Sequence, residues 1–348
     1  CEVCGDSYVS DYTDFTGFNS YEDAVKYLRE QMVARVPSVT VRLYGVQLDE
    51  NQVYNFRNDA WAHTGVPYEG DYIRQNCLAT SCSSVTGTDD KGIYTEMYFN
   101  TTWFTTAAQE AEVDAAVADL LAEWNLESAT DYQKIKCAYD WVCTNVVYDH
   151  DNLYDSTYLL KHSSYAALIH GKAVCQGFAS LFYRLCLELG VDCRVITGQT
   201  DESHAWNIVK LGDKYYNMDP TYDRGTGNYY RYFLTTIYSF GGHDRNAEYE
   251  TDAFNAAYPM ATLPYVEKVA ASGTLSNGME WILDGDTGVL TVTGNGAIPD
   301  YRQWNAPWEP YSDSILGIEL SEGITQVGDR AFAWCKNATY LSLPSTLK

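Results

Sequence analysis

The 348-residue chain is 46% hydrophobic and 20% charged, a globular mix that excludes wholesale disorder. Its 47 acidic and 23 basic residues leave a net charge of −24, which argues against nucleic acid or an anionic membrane surface as partner, since both ask for a basic face. No apolar run reaches the roughly 18 residues of a membrane-crossing helix, and the length predicts two or three domains.

The first third reads as a small α+β unit, residues 1–105. Ser20 opens a helical pattern of Ala24, Val25, Leu28, Met32 and Val36 that Pro37 stops. A strand follows over 38–46, a second helix over 51–63, and two or three strands over 71–105, where β-branched and aromatic residues alternate with turn signals. A second unit, 106–268, begins with amphipathic helices at 107–124 and 130–146. A short helix over 163–170 ends at Gly171, and another runs from Cys175 to Leu189 before Gly190. Strands at 193–198, 204–211 and 214–219 come next, so the layout is α+β with an antiparallel sheet. From about residue 269 glycine-rich turns separate short alternating strands, and this β-rich unit ends in apolar beats that break off in mid-pattern at Lys348. The chain is therefore expected to continue. It also opens on Cys1 instead of Met, which predicts a preceding segment, either a removed signal peptide or a stretch trimmed away.

Ten cysteines are too few for a disulfide scaffold, and their spacing reads as free thiols. Cys1-x-x-Cys4 is half a zinc motif without its second half, so no metal and no other cofactor is expected. The acidic loops 149–152 and 284–288 lack the ligand spacing of a calcium loop and read as solvated turns.

One cysteine is placed for chemistry. Cys175 starts a helix, where unpaired N–H groups and the helix dipole favour a thiolate. Cys186 shares its face but lies three turns deeper and reads as core. A nucleophilic cysteine needs a base and a group to orient that base. His204 begins one strand and Asp219 ends the next, with Gly212-Asp213 as a two-residue turn between them. Pairing Leu211 with Lys214 sets Asp219 opposite Trp206 and diagonal to His204 on the same face, within hydrogen-bond reach. A one-residue slip would separate them. His63, His150, His162, His170 and His243 show no comparable partner pattern and read as ordinary.

The segments Gly171-Lys172-Ala173-Val174-Cys175-Gln176-Gly177-Phe178-Ala179, His204-Ala205-Trp206-Asn207 and Tyr216-Asn217-Met218-Asp219-Pro220-Thr221 resemble the three blocks of the transglutaminase-like superfamily. Asp140-Trp141-Val142 and Tyr148-Asp149 are similar to the helix that precedes the nucleophile in bacterial members. The resemblance covers about residues 107–222. It implies a papain-like core in which Cys175 attacks an amide carbonyl to form a thioester, His204 carries the proton and Asp219 holds the imidazole. By analogy with family members, Tyr165 is the expected side-chain donor to the oxyanion, beside the Cys175 N–H. Trp206 is expected to wall the site. The tail, Ala331-Phe332, Cys335-Lys336-Asn337 and Leu341-Ser342-Leu343-Pro344, resembles one leucine-rich repeat of bacterial surface proteins, and residues 273–308 the β-rich cap that precedes such repeats.

Together these imply a secreted or surface-attached bacterial thiol hydrolase that acts on peptide or isopeptide amides. The repeats would offer a surface for a partner. Loops 150–161 and 224–230 would supply pocket residues. Two alternatives stay open: a transglutaminase that passes the same acyl group to an amine, and a surface binding protein whose core has lost activity.

Overall fold

In the computed structural model the described residues are 17–225, 230–302 and 305–348. Cys1 and Cys4, with their half motif, fall outside them, as do residues 226–229 of the second pocket loop. The eight described cysteines are free thiols. Among the described residues no helix is long and apolar enough to cross a membrane. The chain divides between Leu263 and Pro264 into two compact units.

The first unit opens with α1 (Tyr21–Val33), whose buried stripe is Ala24, Val25, Leu28 and Met32 and whose cap is the Ser20 side chain. The helix stops short of the expected Val36 because Arg35 turns the chain in the left-handed region, at φ 58°. Strand β1 (Ser38–Tyr44) and helix α2 (Glu50–Ala60) follow, the helix held by an Asp49/Gln52 capping box. Residues 71–75 form helix α3 (Asp71–Gln75) in place of the expected strand. Five residues are too few for a period to register. Strands β2 (Cys77–Asp89) and β3 (Gly92–Trp103) make one long hairpin, and β3 lies between β1 and β2. Phe56, Met97, Phe99, Val41 and Leu28 form the core here.

Helices α4 (Ala107–Trp124) and α5 (Asp131–Asn145) each start on a Thr/Gln capping box, Thr106 with Gln109 and Thr130 with Gln133. Strand β4 (Val147–Tyr148) pairs in parallel with β5 (Lys172–Ala173), which follows helix α6 (Ser164–Ile169). Helix α7 (Cys175–Glu188) is buried at every position from Gly177 to Leu187. It packs on a four-stranded antiparallel sheet of order β8-β7-β6-β9. The strands are β6 (Cys193–Gln199), β7 (Ser203–Leu211), β8 (Lys214–Met218) and β9 (Asp244–Arg245). Helices α8 (Pro220–Asp223) and α9 (Asp252–Ala257) flank it in sequence. The architecture is α+β.

The second unit carries a five-stranded sheet: β10 (Ala271–Thr274), β11 (Glu280–Leu283), β12 (Val289–Thr293), β14 (Gly317–Leu320) and β16 (Tyr340–Ser342). The first three run antiparallel, whereas β12, β14 and β16 are parallel. Gly317 pairs with Tyr340, and Leu316 O accepts from Thr339, 23 positions on. Gly323 and Thr346 repeat the same offset. β13 (Gly296–Ile298) and β15 (Ile324–Val327) form a second parallel rung. This stacking of equivalent strands is the geometry a leucine-rich repeat requires. Leu290, Val292, Ile318, Leu320 and Ile324 fill the interior. The buried Trp308 donates from Nε1 to Ala331 O at 2.7 Å. The 284–288 loop is an Asx turn in which Asp284 Oδ1 accepts from Asp286 N and Thr287 N.

Candidate active site

Cys175 is the first residue of α7. Val174 before it is extended and offers no side-chain cap, so the start of this helix presents uncapped N–H groups. Gly177, one position beyond Gln176, lets the helix start sit close to its neighbours. A Cβ there would fall 2.7 Å from Ala173 Cβ and 2.8 Å from Ser163 O.

The sheet supplies the histidine. Leu211 pairs with Lys214 and Asn207 with Met218, the register read from the sequence, and Gly212 takes the positive φ of 67° that the turn needs. His204 Nε2 lies 2.7 Å from Asp219 Oδ2. That commits Nε2 and leaves Nδ1 as the ring nitrogen to face Cys175. Asp219 is fully buried and holds three donors. Its Oδ1 accepts from Tyr222 N, capping α8, while its Oδ2 takes His204 and a second imidazole, His243 Nε2 at 3.0 Å. Burial alone would raise the Asp219 carboxyl, but the hydrogen bonds and charges of the two histidines outweigh it and hold it below the usual carboxylate value. For His204, burial opposes the imidazolium. Hydrogen bonding and negative charge from Asp219 and Cys175 win and raise the ring to about 9. The imidazole is also stacked against Tyr222, with centroids 4.7 Å apart, an arrangement that favours a cation.

Cys175 and His204 line a cavity of about 290 Å³ with Gln75, Tyr148, His162 and Gln176. A neighbouring hollow of about 260 Å³ shares Tyr148, Leu153, Glu202, Ser203 and His204 with it and adds Arg224, so the two form a groove with His204 between them. Both expected loops contribute: Leu153 and His150 come from one and Arg224 from the other.

Two expectations need correction. Tyr165 is not brought to Cys175: its hydroxyl donates to Glu112 Oε2 at 2.9 Å and its ring lies edge-on to His170, so it is spent on α4 and α6. Among the residues lining the cleft, Gln75, His162, Gln176, Gln199 and Asn246 carry side-chain N–H groups, and the Gln176 Nε2 donates to Gln75 O at 2.6 Å. Trp206 does not wall the cleft. It is fully buried behind the sheet's His204, against Phe240 and His243. Gly198 on β6 makes room for it, since a Cβ there would approach the indole to 2.7 Å.

His243 was read as ordinary and is part of the network. Its side chain is 1% exposed, its Nδ1 faces Gly241 O at 3.3 Å, and Phe240 stacks on it at 3.9 Å. It sits in an irregular loop 24 residues beyond Asp219, where no periodic pattern could have marked it. His204, Asp219 and His243 are also the one described cluster with metal-ligand proximity, their donor atoms lying within 4.8 Å of one another. Those atoms are engaged as hydrogen-bonded pairs.

Cys175 at a helix start, lining one cavity with a histidine that a buried carboxylate holds, is the arrangement expected of a papain-like site. Residues 119–220 match the model of the transglutaminase-like superfamily, and the chain carries a domain of that superfamily. It is 29% identical over 133 residues to the kyphoscoliosis peptidase of Homo sapiens, covering 32% of this chain and 18% of that protein. Against the kyphoscoliosis peptidase of Mus musculus it is 25% identical over 139 residues, or 34% and 20% of the two chains. The chain thus spans about a fifth of the length of these relatives. Residues of the chain also align with the crystal structure of a leucine-rich repeat protein from Eubacterium ventriosum, at 35% identity over 23% of this chain and 21% of that one. The TM-score is 0.22, so the repeat reading rests instead on the 23-residue ladder described above.

Proposed function

We propose that the chain is a cysteine-dependent hydrolase of peptide or isopeptide amides, with Cys175 as nucleophile, His204 as acid and base and Asp219 as the residue that orients His204. The observation carrying this reading is the 2.7 Å bond from His204 Nε2 to a fully buried Asp219. It fixes the ring so that Nδ1 serves the helix-start thiol. The thiol proton passes to Nδ1 as sulfur bonds to the carbonyl carbon, and the resulting oxyanion meets the Cys175 N–H at the uncapped start of α7. Collapse breaks the C–N bond. The amine leaves with the proton held by His204, and a thioester remains on Cys175. Water then gives a proton to His204 and attacks the thioester. The acid is released and the thiol is restored.

Hydrolysis is favoured over transfer to an amine because the groove is flanked by exposed polar residues, Gln199, Glu202 and Ser203, which leave water a route to the thioester. That the two relatives are named peptidases supports the same direction. We place the protein outside the cell or on its surface, with the C-terminal repeats offering a partner surface; the resemblance of those repeats to bacterial surface proteins supports this.

The test is a partition experiment on a glutamine- and lysine-containing peptide pool with dansylcadaverine as competing amine. Cleaved or deamidated product dependent on Cys175, with little dansyl incorporation, is expected. Dominant incorporation would replace hydrolysis by cross-linking. No product and no reactive Cys175 would leave a binding protein.

A further inference from the structure

A second cavity, of about 300 Å³, lies in the first unit against α2, α3 and β6. Three arginines line it. Arg194 is paired with Asp71 at 2.7 and 3.1 Å, and Arg74 with Glu248 at 2.7 and 2.9 Å. Arg57 has no carboxylate partner among the described residues. It is 9% exposed, its guanidinium lies between the rings of Tyr54 and Trp61 at 4.1 and 4.6 Å, and its polar contact is the neutral Asn58 side chain at 3.2 Å. Its Nε finds no acceptor. Trp61 lines the same cavity, and its buried Nε1 finds no acceptor either.

A buried cation without a counter-charge is costly, and two aromatic faces offset only part of that cost. In a chain with a 24-charge acidic surplus counter-charges are plentiful, yet the two carboxylates of this cavity, Asp71 and Glu248, are paired with Arg194 and Arg74 and Arg57 has none. Both orphan groups are N–H donors, so what is missing is an acceptor that carries negative charge. Tyr54 is half exposed and covers Arg57 from one side, so a turn of that ring opens the guanidinium to the cavity.

We propose that this cavity binds a small oxyanion, a carboxylate or phosphate group, with Arg57 as its charge partner and the Trp61 indole as a second donor. The site is separate from the candidate active site and does not rest on the function proposed for it. The test is thermal unfolding of the whole chain titrated with inorganic phosphate and, separately, citrate, at constant ionic strength set with sodium chloride. A saturable rise in Tm of roughly 2–4 °C is expected for wild type. Arg57→Gln should weaken the apparent affinity at least tenfold, as should Trp61→Phe, which keeps an aromatic ring near Arg57 and removes the indole N–H. Should Arg57→Gln fail to fold, Trp61→Phe carries the comparison. Response to phosphate alone indicates a phosphate source, and to citrate alone a carboxylate source. No saturable response to either anion, or the wild-type response in both variants, overturns the proposal.

Discussion

Asp219 concentrates the physics of the site in one carboxylate. It is fully buried, and what keeps it charged is a set of three hydrogen bonds, two from imidazoles, together with the positive charge those imidazoles bring. Replacing it with Asn puts an N–H₂ where one histidine needs an acceptor, and we expect a loss of about 10²–10⁴ in turnover, read as kcat with unchanged secondary structure. His243 offers a finer test. In His243→Phe the Oδ2 of Asp219 serves His204 alone, which tightens its hold on the imidazolium. The alkaline limb of the pH profile should therefore move upward, and His243→Gln, which returns one N–H, should bring it back. A limb that stays put would mean that His243 merely packs.

The raised ring of His204 also fixes the sign of a stability effect. Its value of about 9 lies above the ordinary 6.5, so its contribution is fully present below about pH 6.5 and fades as the pH rises through 9. Wild type should lose on the order of 2 kcal/mol more than His204→Gln between pH 6.5 and 10, measured by urea unfolding. Equal losses would contradict the burial and pairing described.

At the scale of elements, the site was legible where chemistry and periodicity coincide. Cys175 follows a Gly171-to-Val174 approach into a strongly apolar helix, and one turn, Gly212-Asp213, fixes the register that brings His204 to Asp219. What stayed hidden lies where no period exists: the five residues of α3, the loop that holds His243, and the hydroxyl of Tyr165, whose partner Glu112 stands 53 positions away. The expected donor role of Tyr165 came from family analogy, and a long-range contact overrode it. Gly177 is the element-scale test. Gly177→Ala drives a methyl into Ala173 and Ser163, so we expect roughly 1–3 kcal/mol of destabilisation by denaturant unfolding, together with slower reaction at Cys175 as the helix start shifts.

At the scale of the molecule, every residue of the candidate site lies before the division at Leu263 and Pro264. The resemblance to leucine-rich repeats was readable from one apolar unit, and the parallel ladder gives it a structural basis. A chain ending at residue 263 should keep the thiol reactivity of the full chain within about twofold, since every residue of the candidate site lies within it. A large loss would place part of the site's support in the second unit.

Whether Cys175 and His204 act as a pair is read from the rate of Cys175 alkylation by iodoacetamide as a function of pH. Peptide mass spectrometry separates this thiol from the other nine cysteines. Wild type should alkylate rapidly at pH 6–7, well below the free thiol value of about 8.5, and His204→Ala should lose this reactivity. An inert Cys175, or one with the same pH profile in both proteins, would contradict the pairing.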